Sequence, residues 1–362
     1  MSELCREYGI SRKTGYKWLN RFIENGTSGC RDKSRAPHSC PHKTSDAVVQ
    51  RLLELREMYP YWGPRKLVVL LGREIGQERA PAPSTAGAIL ARHGLVGKRR
   101  RKRRSFGHVR EHHLSTPEKP NDVWAIDYKG WFRTKDGVIC HPLTVTDLHS
   151  RFVLWCNGHR RQKLVFAERD VKILFAQYGL PRAIRMDNGS PFGSTGLGGL
   201  TRLSLSWVRM NIDLEFIKPG RPQQNGCHER MHKSLKLESA QPPARDLATQ
   251  QRVFDAWRKR FNEIRPHQGL QDRTPAEFYT PSSQRYTGCP HFTYPGHYET
   301  RSVRSDGMFC WQGTLRFMGE AFGGERIGLI RSPDDQWLVY AGDLLLGWQP
   351  DDGNRVLPIT TL

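Results

Sequence analysis

Hydrophobic and polar positions change period along the chain, and each change marks an element. Residues 1–25 read as two helices, Met1 to Tyr8 and Arg12 to Ile23, joined by a tight turn at Gly9-Ile10-Ser11. Ser11 can cap the second helix by accepting a bond from a first-turn amide. There Tyr16, Leu19 and Phe22 fall at packing spacing, while Arg12, Lys13, Thr14 and Lys17 face outward. Helical periods return at Ser45–Met58, Gly63–Arg73 and Ser84–Arg92. Pro64 suits a first helical turn, where its missing N–H costs nothing. Ser84 or Thr85 can open the third of these helices and Gly94 can close it. Both segments have the layout of helix-turn-helix units, in which one helix enters the major groove. A three-helix unit would supply a further helix ahead of the first pair, so the expectation is a truncated first unit or a start that lies upstream.

From residue 121 the period shortens. Val123–Tyr128 is an apolar run interrupted by Asp127, and Val138–Asp147 and Arg151–Asn157 read as further strands. Gln162–Tyr178 reads as a helix closed by Gly179, with Pro181 beyond. Ala183–Met186 is a strand running into the turn Asp187-Asn188-Gly189. After a glycine-rich stretch, Ile212–Ile217 is another strand. A helix then spans about Gln223 to Glu238, and a long amphipathic one Ala248 to Ile264. Three antiparallel strands followed by alternating helices and strands predict an α/β domain with a mixed sheet. Residues 286–362 hold six short alternating stretches, with Asp306-Gly307 as a hairpin turn, and predict a small SH3-like β-barrel. The expected division is a helix-turn-helix unit with its linker at 1–43 and a second helical unit at 44–97. A basic linker follows at 98–120, then the α/β domain at 121–285 and the β-rich domain at 286–362.

Charge adds the partner. The 362 residues carry 57 Lys and Arg against 36 Asp and Glu, a formal charge of +21. Residues 1–113 alone hold 24 basic and 10 acidic residues. The run Lys98, Arg99, Arg100, Arg101, Lys102, Arg103, Arg104 closes that region, and such a run between DNA-binding units and a catalytic domain is expected to contact phosphate. Arg65, Ser84 and Thr85 in the second helical unit are further candidates for DNA contact. No apolar run of about 18 residues is present, so no membrane span is expected. Eight cysteines without a Cys-x-x-Cys pair argue against a disulfide scaffold and against zinc. Reduced thiols, no secretory segment and this charge together predict a cytoplasmic protein, nucleoid-associated when bound to DNA.

A carboxylate inside an apolar strand costs several kcal/mol to desolvate. Asp127 and Asp187 lie in or at the ends of apolar strands, and Glu229 lies on the helix that follows the last of them. Three carboxylates brought to one sheet edge repel unless cations neutralise them, and hard divalent ions with oxygen ligands serve in phosphoryl transfer. Lys233 and Lys236, four and seven residues beyond Glu229, share its helical face and can hold DNA phosphates. His228, one helical step from Glu229, points about 100° away from it. The amide of Asn188 can orient the substrate or Asp187.

These residues stand in a recognisable order. Trp124-Ala125-Ile126-Asp127, Met186-Asp187-Asn188-Gly189 and Gln224-Asn225-Gly226-Cys227-His228-Glu229-Arg230 resemble the three signatures of the DDE integrase core, found in bacterial insertion-sequence transposases and retroviral integrases. Asn262–Leu270 and Thr274-Pro275-Ala276-Glu277 resemble the segment closing that core. The resemblance covers roughly residues 1–280. It implies an RNase H-like fold, with Asp127, Asp187 and Glu229 as catalytic carboxylates and metal ligands for Mg²⁺, which Mn²⁺ can replace. It also implies cleavage of double-stranded DNA at element ends, attack of the freed 3′ hydroxyls on target DNA, and a homodimer or higher oligomer on DNA. The 41 residues between Asp187 and Glu229 exceed the family's usual spacing, and the surplus falls in the glycine-rich stretch Gly193–Gly199. Two other classes remain open. A binding-only regulator has no use for three mutually repelling carboxylates, and a structure-selective nuclease leaves two helix-turn-helix units unexplained.

Overall fold

The computed structural model describes residues 1–32, 43–96, 114–218 and 222–358, so Lys98–Arg104 lies outside the described residues. Met1–Gln50 and Arg51–Leu362 form two compact units. In the first, α1 (Ser2–Glu7) and α2 (Arg12–Asn25) meet at Gly15, which is buried against Cys5; a Cβ there would collide with the thiol. Ser11 caps α2 by accepting from Thr14 N at 3.2 Å. Tyr16, Leu19 and Phe22 are exposed rather than packed, contrary to the sequence expectation. The six-residue α1 meets α2 on its Gly15 side and leaves the apolar stripe uncovered.

A helical module begins at the boundary between the two units. α3 (Asp46–Met58), α4 (Pro64–Ile75) and α5 (Pro83–Arg92) bury Leu52, Leu55, Trp62, Leu67, Leu71, Ile89 and Leu90. Pro64 and Pro83 each occupy a first turn. Ala82 is the N-cap of α5, so Ser84 and Thr85 are first-turn residues rather than caps, and both are exposed. Gly94, at φ +70°, ends the helix as expected.

The central sheet is built from β1 (Val123–Tyr128), β2 (Phe132–Arg133), β3 (Ile139–Asp147), β4 (Val153–His159), β5 (Ala183–Met186) and β6 (Asp213–Phe216). β4, β3 and β1 are antiparallel, β1, β5 and β6 are parallel, and β2 pairs the first residues of β3. This is the mixed sheet expected from the element order. α6 (Leu164–Tyr178) and α7 (Arg202–Arg209) cover one face through Val171, Leu174, Phe175, Leu203 and Trp207. α8 (Gly226–Ser239) and α9 (Leu247–Glu263) cover the other through Met231, Leu235, Phe254, Trp257 and Phe261. α7 was not expected, because its eight residues lie directly after the glycine-rich stretch and their helical period is too short to stand out.

β4 is an edge strand, and its unpaired backbone groups need partners. α9 supplies them from one face: Asn262 accepts from Val153 N (2.8 Å) and donates to Val153 O (3.0 Å), Arg258 donates to Leu154 O (2.7 Å), and Gln251 bonds Cys156 O and Gly158 N. Asp170 of α6 ties the same strand from the other face by accepting from Trp155 Nε1, Asn157 Nδ2 and His159 Nε2.

Beyond residue 285 come β7 (Glu299–Ser302), β8 (Met308–Trp311), β9 (Thr314–Phe317), β10 (Arg326–Arg331), β11 (Trp337–Ala341), β12 (Leu344–Gln349) and β13 (Leu357–Pro358). All six expected stretches form strands, but the barrel is corrected: among the described residues the pairing is an open five-stranded sheet, β13-β12-β11-β10-β7, and a separate β8–β9 hairpin. Asp306-Gly307 does form a turn, yet β7 leaves it to pair with β10 instead of β8. The core of this region includes Leu200, just after the glycine-rich stretch, and Leu205 of α7, with Leu197 of that stretch packed against it, and Arg209 of α7 pairs with Glu325 at 2.7 Å.

Replacing Asn262 by Ala strands both backbone groups of Val153 in a buried site. The expected cost is about 1–3 kcal/mol, read as a lower urea midpoint by tryptophan fluorescence. An unchanged midpoint would mean that water replaces the side chain at no cost.

Candidate active site

β1 is buried on both faces, so its side chains alternate between two helical layers. Trp124, Ile126 and Tyr128 enter the α6 layer, and Val123 and Ala125 the opposite one. Asp127 has the parity of the second set and reaches the end of the cover, where its side chain is 34% exposed. Asp187 immediately follows β5, the parallel neighbour of β1. Its Oδ1 accepts from Gly189 N (3.2 Å), while Asn188 Nδ2 donates to Ile217 O (2.6 Å), so the Asn188 amide holds the turn to the end of β6. Glu229 is exposed in the first turn of α8.

Two other carboxylates act on Asp127. Burial raises the Asp127 pKa, the charge of Asp187 raises it further and Glu229 adds to it, against Lys129, leaving it at about 7. A hard divalent cation relieves this repulsion, and an all-oxygen carboxylate set is what such an ion takes. The Asp127 carboxylate fits such an ion, and His228 and His232 each bring a donor atom within 4.8 Å of it.

On the buried side of Asp127 lies a polar network. Thr144, the cross-strand partner of Asp127, donates from Oγ1 to Asp127 O at 3.1 Å. The same oxygen is 2.9 Å from His228 Nε2 and 2.7 Å from His232 Nε2, and Thr146 Oγ1 is 2.6 Å from His228 Nδ1. His228 is 1% exposed and His232 5%. Burial drives His228 down to about 3 and His232 well below the ordinary imidazole value, so both rings are neutral. His232 Nδ1 lies 3.8 Å from Asp127 Oδ2. His228 turns away from Glu229 as its helical position requires. Sequence reasoning missed His232, although its place three residues after Glu229 and four after His228 sets it on the face of α8 turned to the sheet.

A second unforeseen group braces the site. Arg185 and Glu215, register partners on β5 and β6, form a buried ion pair at 2.7 Å. Glu215 also accepts from Ser115 N (3.1 Å), and Arg185 reaches Ser115 O (2.7 Å) and Gln224 O (3.4 Å), just ahead of α8. Strand-borne charges in a four-residue apolar stretch give no hint in the sequence of which partner they take.

The residues singled out for DNA contact are scattered. Lys233 and Lys236 are exposed on α8, and Lys13 and Lys17 on α2. Arg12 donates to Ser2 Oγ, and Thr14 is half-buried beside Ser11. Arg65 is committed elsewhere, to a two-pronged pair with Asp272 at 2.7 and 3.1 Å. Its neighbour Lys66 donates to Pro266 O (2.9 Å), with its pKa pushed down to about 8 by burial and then by Arg265.

Known proteins match the same segments. The integrase core domain family matches residues 117–222 and 210–275, and a homeodomain-like domain matches 14–90. An insertion element IS407 protein of Burkholderia multivorans is 28% identical over 66% of this chain and 82% of its own length. One from IS476 of Xanthomonas euvesicatoria is 28% identical over 66% of each chain. A solved chain of the simian T-cell lymphotropic virus intasome is 17% identical, covering 83% of this chain and 99% of its own, with a TM-score of 0.40. The chain is thus an integrase-core enzyme with a homeodomain-like segment ahead of the core. These matches support a bacterial insertion-sequence transposase of the DDE, or retroviral integrase, superfamily. No described helix is long and apolar enough to cross a membrane.

The raised Asp127 pKa has a signed consequence. Between the ordinary 3.8 and about 7 the folded chain keeps a proton that the unfolded chain loses, so without divalent cations stability falls as pH rises through that window. Melting in EDTA should show this slope, and Asp127→Asn should flatten it. Equal slopes in both proteins would place the dependence at other groups.

Proposed function

We propose that this transposase binds the terminal inverted repeats of its element, cleaves the DNA ends and joins the 3′ hydroxyls to target DNA by two-metal phosphoryl transfer. The observation that carries the reading is Asp127 at the end of β1 with Asp187 just past its parallel neighbour β5, where the Asp187 and Glu229 charges raise the Asp127 carboxyl. Asp127, Asp187 and Glu229 would hold two Mg²⁺ ions, with Mn²⁺ able to substitute. When bound, the ions would activate the attacking oxygen and neutralise charge on the leaving one. In the first step water displaces the 3′ oxygen at the scissile phosphate. In the second that 3′ hydroxyl attacks a target phosphate, forming one ester and releasing one.

The chain's own groups place the DNA. Lys233 and Lys236 extend from the exposed side of α8 toward the phosphates of the end, while Asn188 fixes the turn that carries Asp187. Arg12, Lys13, Thr14 and Lys17 of the 1–43 unit and Ser84 and Thr85 of the 44–97 unit contact the repeats ahead of the core at 121–285, and Lys98–Arg104, outside the described residues, bind phosphate. Arg65 serves the chain's own Asp272 instead. Cutting two ends together calls for a dimer or higher oligomer.

The test is cleavage and joining of labelled element-end duplexes by the full chain, with Mg²⁺ and with EDTA. Asp127→Asn, Asp187→Asn and Glu229→Gln should each lower the rate by about 10³-fold, since the metal's charge stabilisation is worth several kcal/mol, while repeat binding persists. Strand transfer that survives any of the three changes would refute the catalytic assignment. Binding without cutting by the unaltered chain in Mg²⁺ would leave a repeat-binding protein.

A further inference from the structure

A threonine hydroxyl has one hydrogen and two lone pairs. Thr144 Oγ1 is in hydrogen-bond contact with three atoms: Asp127 O, His228 Nε2 and His232 Nε2. A carbonyl oxygen only accepts, so the hydroxyl hydrogen goes to Asp127 O. Both imidazoles must then donate, each from Nε2–H, and the two lone pairs of Thr144 are filled. A neutral imidazole carries one N–H, which leaves both Nδ1 atoms as acceptors. Thr146 Oγ1 serves His228 Nδ1 at 2.6 Å. The atom facing His232 Nδ1, at 3.8 Å, is Asp127 Oδ2, an acceptor like itself once the carboxyl is ionised.

Two facing acceptors repel unless something positive lies between them. We propose that His232 Nδ1 is a nitrogen ligand of the divalent ion held at Asp127, an inference that rests on the metal-dependent reading above. Two donors bound to one ion at about 2.1 Å each lie roughly 3–4 Å apart, and the observed separation of 3.8 Å falls in that range. Ligating imidazoles ordinarily donate their other N–H to a fixed partner, which sets ring orientation and tautomer. Here that partner is Thr144, at 2.7 Å from Nε2. His228 is no substitute, although Asp127, His228 and His232 each bring one donor atom within 4.8 Å of the others. Both of its nitrogens are already spent on Thr144 and Thr146. A mixed nitrogen and oxygen set moves the site's preference from Mg²⁺ toward first-row transition ions, because imidazole is a softer donor than carboxylate.

Mn²⁺ serves as both ligand and spin probe. Full-length protein loaded with Mn²⁺ alone should show one histidine nitrogen coupling by electron spin echo modulation, altered when histidine is ¹⁵N-labelled. The coupling should vanish in His232→Gln and persist in His228→Gln. Thr144→Val should weaken Mn²⁺ binding by about 10–100-fold, with Thr144→Ser restoring it, which keeps the proposal open to refutation if His232→Gln does not fold. Bound Mn²⁺ without a histidine coupling, or a coupling that survives His232→Gln, overturns the assignment and leaves the carboxylate site standing. No Mn²⁺ binding at all overturns the metal reading of the function along with it.

Discussion

Stripping water from a carboxylate is costly, and β1, covered by helices on both faces, carries one at Asp127. The surroundings are arranged to tolerate it. The strand places it where cover ends, and the antiparallel register sets Thr144 opposite, with its hydroxyl on the Asp127 carbonyl. α8 must then lie against this part of the sheet with polar groups, and it does so with two neutral histidines where a purely structural helix would carry leucines. A slip of one residue between β1 and β3 would turn Asp127 into the apolar layer where Tyr128 packs on Phe192 and undo the arrangement at once. The register is thus set as much by the chemistry as by the core.

Much of this was readable along the chain because strand and helix periods are local. The strands on either side of Asp127 and Asp187, the helix bearing Glu229, and its lysines all fall where period and turn residues put them. What stayed hidden depends on contacts between residues distant in sequence. His232 becomes a neighbour of Asp127 only once α8 is laid on β3. Arg185 finds Glu215 only through parallel pairing across an intervening helix. The open sheet after residue 285 has the strands that a barrel would have, and their order of pairing is not encoded in their alternation. The exposed stripe of Tyr16, Leu19 and Phe22 shows the converse: packing spacing marks a face that can be covered, not one that is.

Charge is also less free than a count suggests. Arg65, Lys66 and Arg73 all belong to α4 of a module read as DNA-binding, yet they bond Asp272, Pro266 and Glu277 in the segment that closes the core. Arg265 adds its guanidinium over the Trp62 ring. Basic residues here join the helical module to the catalytic fold, while Ser84 and Thr85 stay exposed at the start of α5.

The stretch between Asp187 and Glu229 does more than lengthen a loop. Leu200 and Leu205 lie in the apolar core of the sheet formed by the last fifth of the chain, and the Arg209–Glu325 pair seals the same junction. The two regions therefore share an interior despite being separated in sequence by α8 and α9. A chimera joined near residue 285, taking its tail from a different element, would inherit a sheet whose missing core residues are encoded far upstream. Recombination among such elements can keep this tail only with the insertion that fits it, so the two must descend together.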